Sequence, residues 1–240
     1  MTETQAKYQE VAGCLRNEIR HGGYTVGQQL PLEKELCEMY GVSRTTVKRA
    51  VDVLVAEGFV VKRRGAGTFV KALDRGIVQH LNQEKQFGGF TEYYAGYDIG
   101  TKVLHYAVVH PTEEVARLLM IEPDDFVYDI SRLRLVSGKP IVVEYTQMPL
   151  KRIPELPKDV LNHSIYRYLE NELGLRIQSA HRRLRAVMPT GEEKELLGIE
   201  GRMPLLEVTQ TAFLADGLPF EYSISRHRGD KMVYRVVSIR

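Results

Sequence analysis

The chain has 240 residues, 43% hydrophobic and 27% charged, which suits one or two domains with real cores and excludes a disordered chain. Net charge is only +2, but residues 1–72 hold 11 Lys/Arg against 8 Asp/Glu, and residues 41–72 alone hold 7 against 2. A local basic patch on a near-neutral protein is the footprint of a phosphate-backbone binder, with a solvated basic face as the competing reading.

The first element is an amphipathic helix, because Tyr8, Val11, Ala12, Leu15 and Ile19 recur on one face. It stops at Gly22-Gly23. Gly27 and Pro31 bracket a loop, and Pro31 suits the first turn of a second helix running to Tyr40. After Gly41, Ser43 is a good N-cap for a third helix with Val47, Ala50, Val51 and Leu54 facing inward. Glu57-Gly58 closes it. Phe59-Val60-Val61 and Thr68-Phe69-Val70 then flank the turn Arg64-Gly65-Ala66-Gly67. Three helices and a hairpin make a winged helix-turn-helix. The two cysteines, Cys14 and Cys37, fall in these helices as reduced thiols, and without a nearby His pair they make no zinc site.

Residues 73–87 are polar and weakly periodic, and read as a linker. Strands are predicted over 101–110, 126–136, 140–148, 175–188, 205–214, 219–227 and 233–239, with turns at 137–140 and 216–219. Helices are predicted over 112–120, 164–173 and 191–197, with Thr112 and Ser164 as caps. A further short helix follows Gly88-Gly89-Phe90, with Thr91 as its cap. The fold class is α+β: a winged helix-turn-helix over 1–72, and a second domain over 88–240 with a mainly antiparallel sheet. No segment resembles a signal peptide or approaches the ~20 apolar residues of a membrane span, so a cytoplasmic protein without a membrane partner is expected.

A recognition helix presents its first turn to base edges. Here that turn is Ser43, Arg44, Thr45 and Thr46, with Lys48 following. Arg44 suits a bidentate contact with guanine, whereas Ser43, Thr45 and Lys48 suit phosphates. Arg63 and Arg64 flank Gly65 at a tip slim enough for a minor groove. The alternative is a winged helix that binds protein.

The run Leu30-Pro31-Leu32-Glu33-Lys34-Glu35-Leu36, the run from Tyr40 through Ala50, Glu57-Gly58, and Gly65 through Val70 resemble the GntR family of bacterial transcription regulators. The resemblance implies that Lys34 touches DNA. Lys34 and Lys48 stand where that family commonly has Arg, which favours phosphate contacts over base readout at both.

In the second half, Ser131-Arg132-Leu133-Arg134, Gly138-Lys139-Pro140-Ile141, Glu144, Ser164-Ile165-Tyr166, Leu196 through Ile199, Asp216 through Ser223 and Arg228-Gly229-Asp230 resemble the HutC subfamily. Its effector domain, called UTRA, has a chorismate-lyase-like fold and binds small molecules. From the residues themselves, Arg132 and Arg134 at i, i+2 share a strand face, and Glu144 and Glu221 lie on other strands. Such convergence suits an anion bearing hydroxyls, or else a structural ion network. The resemblance implies that Arg132, Arg134, Glu144, Ser164, Tyr166 and Glu221 line the effector pocket. It also implies that Gly88, Gly89, Phe90 and Thr91 take a phosphate. His227 replaces a Tyr common in that subfamily. The run 180–183 reads as a solvated face. The expected protein is a homodimeric regulator on a palindromic double-stranded operator, needing no cofactor and no metal. Its expected effector is a sugar phosphate, with an organic acid such as urocanate as alternative. A chorismate-lyase-like enzyme is the competing class, but no nucleophile–base pair is evident.

Overall fold

The computed structural model describes residues 3–72 and 89–234, which fall into two compact units. The linker expected at 73–87 and Gly88 lie outside the described residues.

In the first unit, helix α1 (Glu3–Arg20) buries Val11, Ala12, Leu15 and Ile19 against α2 (Glu33–Tyr40) and α3 (Arg44–Ala56). Val47, Ala50, Val51 and Leu54 of α3 complete that core. Pro31 does not open α2: Leu32 is the N-cap, and its backbone N–H is satisfied by the Glu35 carboxylate at 2.7 Å. Strands β1 (Val60–Arg63) and β2 (Gly67–Val70) pair antiparallel. The loop bracketed by Gly27 and Pro31 also joins this wing. Gln29 bridges Phe69, Leu30 N–H donates to Thr68 O at 2.8 Å, and Gly27 N–H donates to Val70 O at 2.9 Å. Buried Leu30 pulls the loop inward, and the open edge of β2 then supplies partners its backbone needs. Arg16 clamps the end of α3 through both oxygens of buried Glu57, at 2.7 and 2.8 Å.

The second unit runs α4 (Gly89–Tyr93), β3 (Ile99–Val109), α5 (Glu113–Leu119), β4 (Val127–Val136), β5 (Lys139–Pro149), a 3-10 turn (Lys158–Asn162) and α6 (Ile165–Asn171). Then come β6 (Ile177–Val187), α7 (Gly191–Leu197), β7 (Leu205–Leu214) and β8 (Pro219–Arg228). The strands form one antiparallel sheet in the order β3-β4-β5-β8-β7-β6. Side chains alternate between its faces. Tyr128, Ile130 and Met148 meet Ile165 and Leu169 of α6, whereas Leu133, Val143 and Leu205 meet Leu197 of α7. Thr112 and Ser164 do cap α5 and α6. Of the strand predicted over 233–239, Val233 and Tyr234 are not in a strand, and the remainder lies outside the described residues.

Candidate functional site

In the first unit, Ser43 caps α3 by accepting from Thr46 N at 3.2 Å. Ser43, Arg44, Thr45 and Lys48 are exposed along the start of the helix, as is Lys34 on α2. Thr46 departs from expectation. It is 5% exposed, with its hydroxyl 2.8 Å from Ser43 Oγ, because it occupies the core-facing position beside Val47. It is a structural residue of the cap. Arg44 is 83% exposed and reaches Glu33 at 3.3 Å. Surface pairs of this kind contribute at most about 1 kcal/mol, so a phosphate or base competes easily. At the wing, Arg63 stacks on Phe69, 4.4 Å from the ring centre, leaving Arg64 and Gly65 at the tip. The tip conformation is held by Gln29, whose amide donates to Ala66 O at 2.9 Å. Gly67 has φ 117°, which residues with side chains rarely adopt, and a Cβ there would displace that same Gln29 amide.

In the second unit, register brings the predicted pocket residues onto one sheet face. Arg132 pairs across to Glu144, Glu144 to Ser225, Thr146 to Ser223, and Val142 to His227. Glu221, Ser223 and His227 therefore point the same way as Arg132, Arg134 and Glu144. Arg132 Nη2 donates to Glu144 Oε2 at 2.9 Å, and Arg134 Nη1 donates to the same oxygen at 3.3 Å. Arg132 Nη1 also donates to Leu161 O and His163 O, at 3.2 and 3.3 Å, so the 3-10 turn fixes its head. Arg134 lies 4.6 Å from the centre of the Phe90 ring and donates to Thr91 Oγ1 at 3.2 Å. Thr91 is the third residue of α4 rather than its cap: the chain turns into the helix at Gly89, at φ 69°. A Cβ on Gly89 would sit 3.9 Å from the Tyr166 ring, so α4 and α6 approach each other on this side of the sheet. Ser164 spends its oxygen on capping α6, accepting from Arg167 N at 3.3 Å.

On the far side, Glu221 Oε1 accepts three hydrogen bonds: from Tyr166 OH at 3.1 Å, Gln210 Nε2 at 3.0 Å and Ser223 Oγ at 2.7 Å. The two carboxylates are tuned apart. Burial works against the charge of Glu144, but Arg132 and Arg134 outweigh it and hold its carboxyl below the ordinary value. Burial pushes Glu221 up despite its hydrogen bonds, and the charge of Glu144 adds to the rise. Burial also lowers His227 to about 4, so its imidazole is neutral near pH 7. Its Nδ1 is buried without a hydrogen-bond partner among the described residues, as are the Nε atoms of Arg132 and Arg134.

The remaining motifs are structural. Arg228 pairs with Asp230 at 3.0 and 3.1 Å and donates to Leu197 O at 2.7 Å, closing the end of α7. A Cβ on Gly229 would lie 2.5 Å from Pro204 O, so only glycine fits between them. On the opposite sheet face, Arg226 joins buried Glu193 and Glu207 at 2.8 and 2.9 Å, tying α7 to the sheet. Sequence reasoning missed Gln210, Ser223 and Arg182. The run 180–183 is not a uniform solvated face. His181 and Arg183 are exposed, but half-buried Arg182 donates from Nε to Gln210 Oε1 at 2.6 Å. The period-2 alternation of β6 carried that signal; the pairing of β6 with β7 did not show in the sequence.

Two family models match the chain: bacterial regulatory proteins of the gntR family over residues 7–70, and the UTRA domain over residues 95–233. The transcriptional regulator GmuR of Bacillus subtilis is 42% identical over 98% of this chain and 99% of its own length. The B. subtilis regulator TreR is 32% identical over 90% of each chain. The crystal structure of the effector-binding domain of TreR, the trehalose repressor, superposes with a TM-score of 0.53 over 59% of this chain and 98% of that one. The structure of the possible regulator YydK from B. subtilis superposes with a TM-score of 0.77 at 26% identity, over 97% of this chain and 99% of that one. These matches exclude the enzyme reading: this is a DNA-binding transcription regulator, and it belongs to the GntR family, with a UTRA effector-binding domain as its second half.

Proposed function

We propose that this regulator represses genes of sugar uptake or catabolism and leaves its operator when a small phosphorylated sugar fills the pocket above β4, β5 and β8. One observation carries the reading: two buried guanidiniums share a single oxygen of Glu144. That leaves the Arg132–Arg134 end of the site with more positive than negative charge. Arg134 uses only two of its five N–H groups among the described residues, so it has donors to spare for an anion. Arg132, Arg134, Phe90, Thr91, Gly88 and Gly89 would then hold the phosphate end. Glu144, Glu221, Tyr166, Ser164 and His227 would take the sugar hydroxyls. TreR, the trehalose repressor, supports a sugar-derived effector by its likeness.

In the first unit, Lys34, Ser43, Thr45, Lys48, Arg63, Arg64 and Gly65 would fix the protein on the phosphates, and Arg44 would read a base. A homodimer would place two heads on a palindromic operator, its half-sites spaced by the two-fold. An effector favouring one arrangement of the heads shifts DNA affinity, and DNA must shift effector affinity by the same factor.

The test is a thermal-shift screen with glucose 6-phosphate, glucosamine 6-phosphate, cellobiose 6-phosphate, their unphosphorylated forms and urocanate, followed by operator binding with each hit. A ligand at 100 times its Kd stabilises by about 2.7 kcal/mol. A phosphorylated sugar that stabilises the protein and weakens operator binding is the expected result. Stabilisation by urocanate alone would replace the sugar reading with an organic-acid regulator.

A further inference from the structure

The protein surrounds the Glu221 carboxylate unevenly. Tyr166 OH, Gln210 Nε2 and Ser223 Oγ all reach Oε1, and none of the hydrogen bonds among the described residues reaches Oε2. The share that Gln210 contributes depends on the orientation of its carboxamide. A carboxamide presents two donors from nitrogen and an acceptor from oxygen, and the two ends are nearly equal in size. Only the nitrogen-inward orientation suits Glu221 Oε1 and Tyr166, because the reverse would set a carbonyl oxygen against a carboxylate oxygen.

Nothing on β7 itself selects that orientation. Glu221 on β8 favours it from one side, and Arg182 on β6 holds it from the other. Gln210 stands opposite Arg182 on one side and Ser223 on the other. Arg182 Nε donates to Gln210 Oε1 at 2.6 Å, while Gln210 Nε2 donates to Tyr166 OH at 2.9 Å and to Glu221 Oε1 at 3.0 Å. An arginine has donors and no acceptor, so it can bind only the oxygen end of the amide. Its charge is also felt within the site, where it opposes protonation of His227 and favours ionisation of Tyr166.

We propose that Arg182 is a positioning residue of the effector pocket: it locks the Gln210 carboxamide so that Glu221 Oε1 is committed to the protein and Oε2 is the oxygen offered to a ligand hydroxyl. The ligand end of this statement rests on the effector reading above; the lock on Gln210 does not. Arg182 touches no ligand itself and acts through two intervening side chains. A ligand bearing a hydroxyl donor toward Oε2 binds well, and a ligand with a carboxylate or phosphate at that end is refused.

Two measurements on the full chain separate the lock from the effector reading. In the ligand-free protein, NOEs from the Gln210 side-chain amide protons to Tyr166 and Ser223 are expected in the wild type and in Arg182→Lys, and lost in Arg182→Met. With glucosamine 6-phosphate and cellobiose 6-phosphate as probes, Arg182→Met is expected to weaken binding roughly ten-fold, the scale of one misdirected buried hydrogen bond. Arg182→Lys is expected to restore most of that loss, and Gln210→Met to match Arg182→Met, with the double variant no weaker than either single one. Retention of the NOEs in Arg182→Met, or losses that simply add in the double variant, overturns the proposal. If neither probe binds the wild type, the effector reading fails for these sugars, and the NOEs alone still decide whether Arg182 holds Gln210.

Discussion

The two halves of this chain build their sites in opposite ways. The reading head takes its exposed groups from short local runs: Ser43, Arg44, Thr45 and Lys48 occupy the first turns of one helix, and Arg63 to Gly65 one hairpin tip. The proposed effector site takes its groups from α4, β4, β5, α6, β7 and β8, with residues as distant as Thr91 and Glu221 brought to one face of the sheet. The first arrangement leaves cations exposed and weakly paired, ready for exchange with phosphates. The second buries them in a network where each partner is needed. Exposed charges exchange partners at little cost, whereas unpairing buried ones is costly.

This contrast can be broken by substitutions on either side. The largest effect is expected from Glu144→Leu, which strands Arg132 and Arg134 without their shared carboxylate. Urea denaturation should register a loss of roughly 3–5 kcal/mol in the second unit. A variant as stable as wild type would mean the guanidiniums are far wetter than their burial indicates. Next, Arg44→Ala should weaken specific operator binding by about 1–3 kcal/mol, measured by fluorescence anisotropy against a scrambled duplex, and leave any effector-induced thermal shift unchanged. Equal damage to both activities would argue against separate sites.

A subtler expectation concerns acid. Because the folded value of His227 is about 4 against an ordinary 6.5, the unfolded chain binds this proton more readily between those limits. Stability should therefore fall as pH drops from 6.5 towards 4, and His227→Gln should flatten that part of a melting-temperature profile. Glu144, whose value is held below the ordinary one, adds its own loss only at the acid end of the range. Parallel profiles for the two proteins would show that His227 is solvated. The smallest effect is expected at Lys48: Lys48→Ala should lower the salt slope of operator binding by about one and weaken all sequences alike.

Much of the reading head is legible in the amino-acid order, because helix periodicity and caps are local. Thr46 is the exception. A polar residue beside Arg44 looks like a contact until the 3.6-residue period is followed onto the inner face, where its hydroxyl serves the Ser43 cap. Gln29 carries no local signal at all, since its role depends on a chain reversal that brings Ala66 beside it.

In the second unit, alternation puts Arg132 and Arg134 on one face, and their charge makes Glu144 and Glu221 natural partners. Alternation states only which residues of one strand share a face. It says nothing of which strand lies next to which, so it hides the order β5-β8-β7-β6 and the meeting of Arg182, Gln210 and Glu221. The helices, the turns, the basic head and the family are all written in runs of neighbouring residues, and the amino-acid order is enough to read them. Which oxygen of each carboxylate is committed, and which stays open, is decided only in the assembled sheet. Strand register and burial set those choices, and both arise from contacts between residues far apart in the chain.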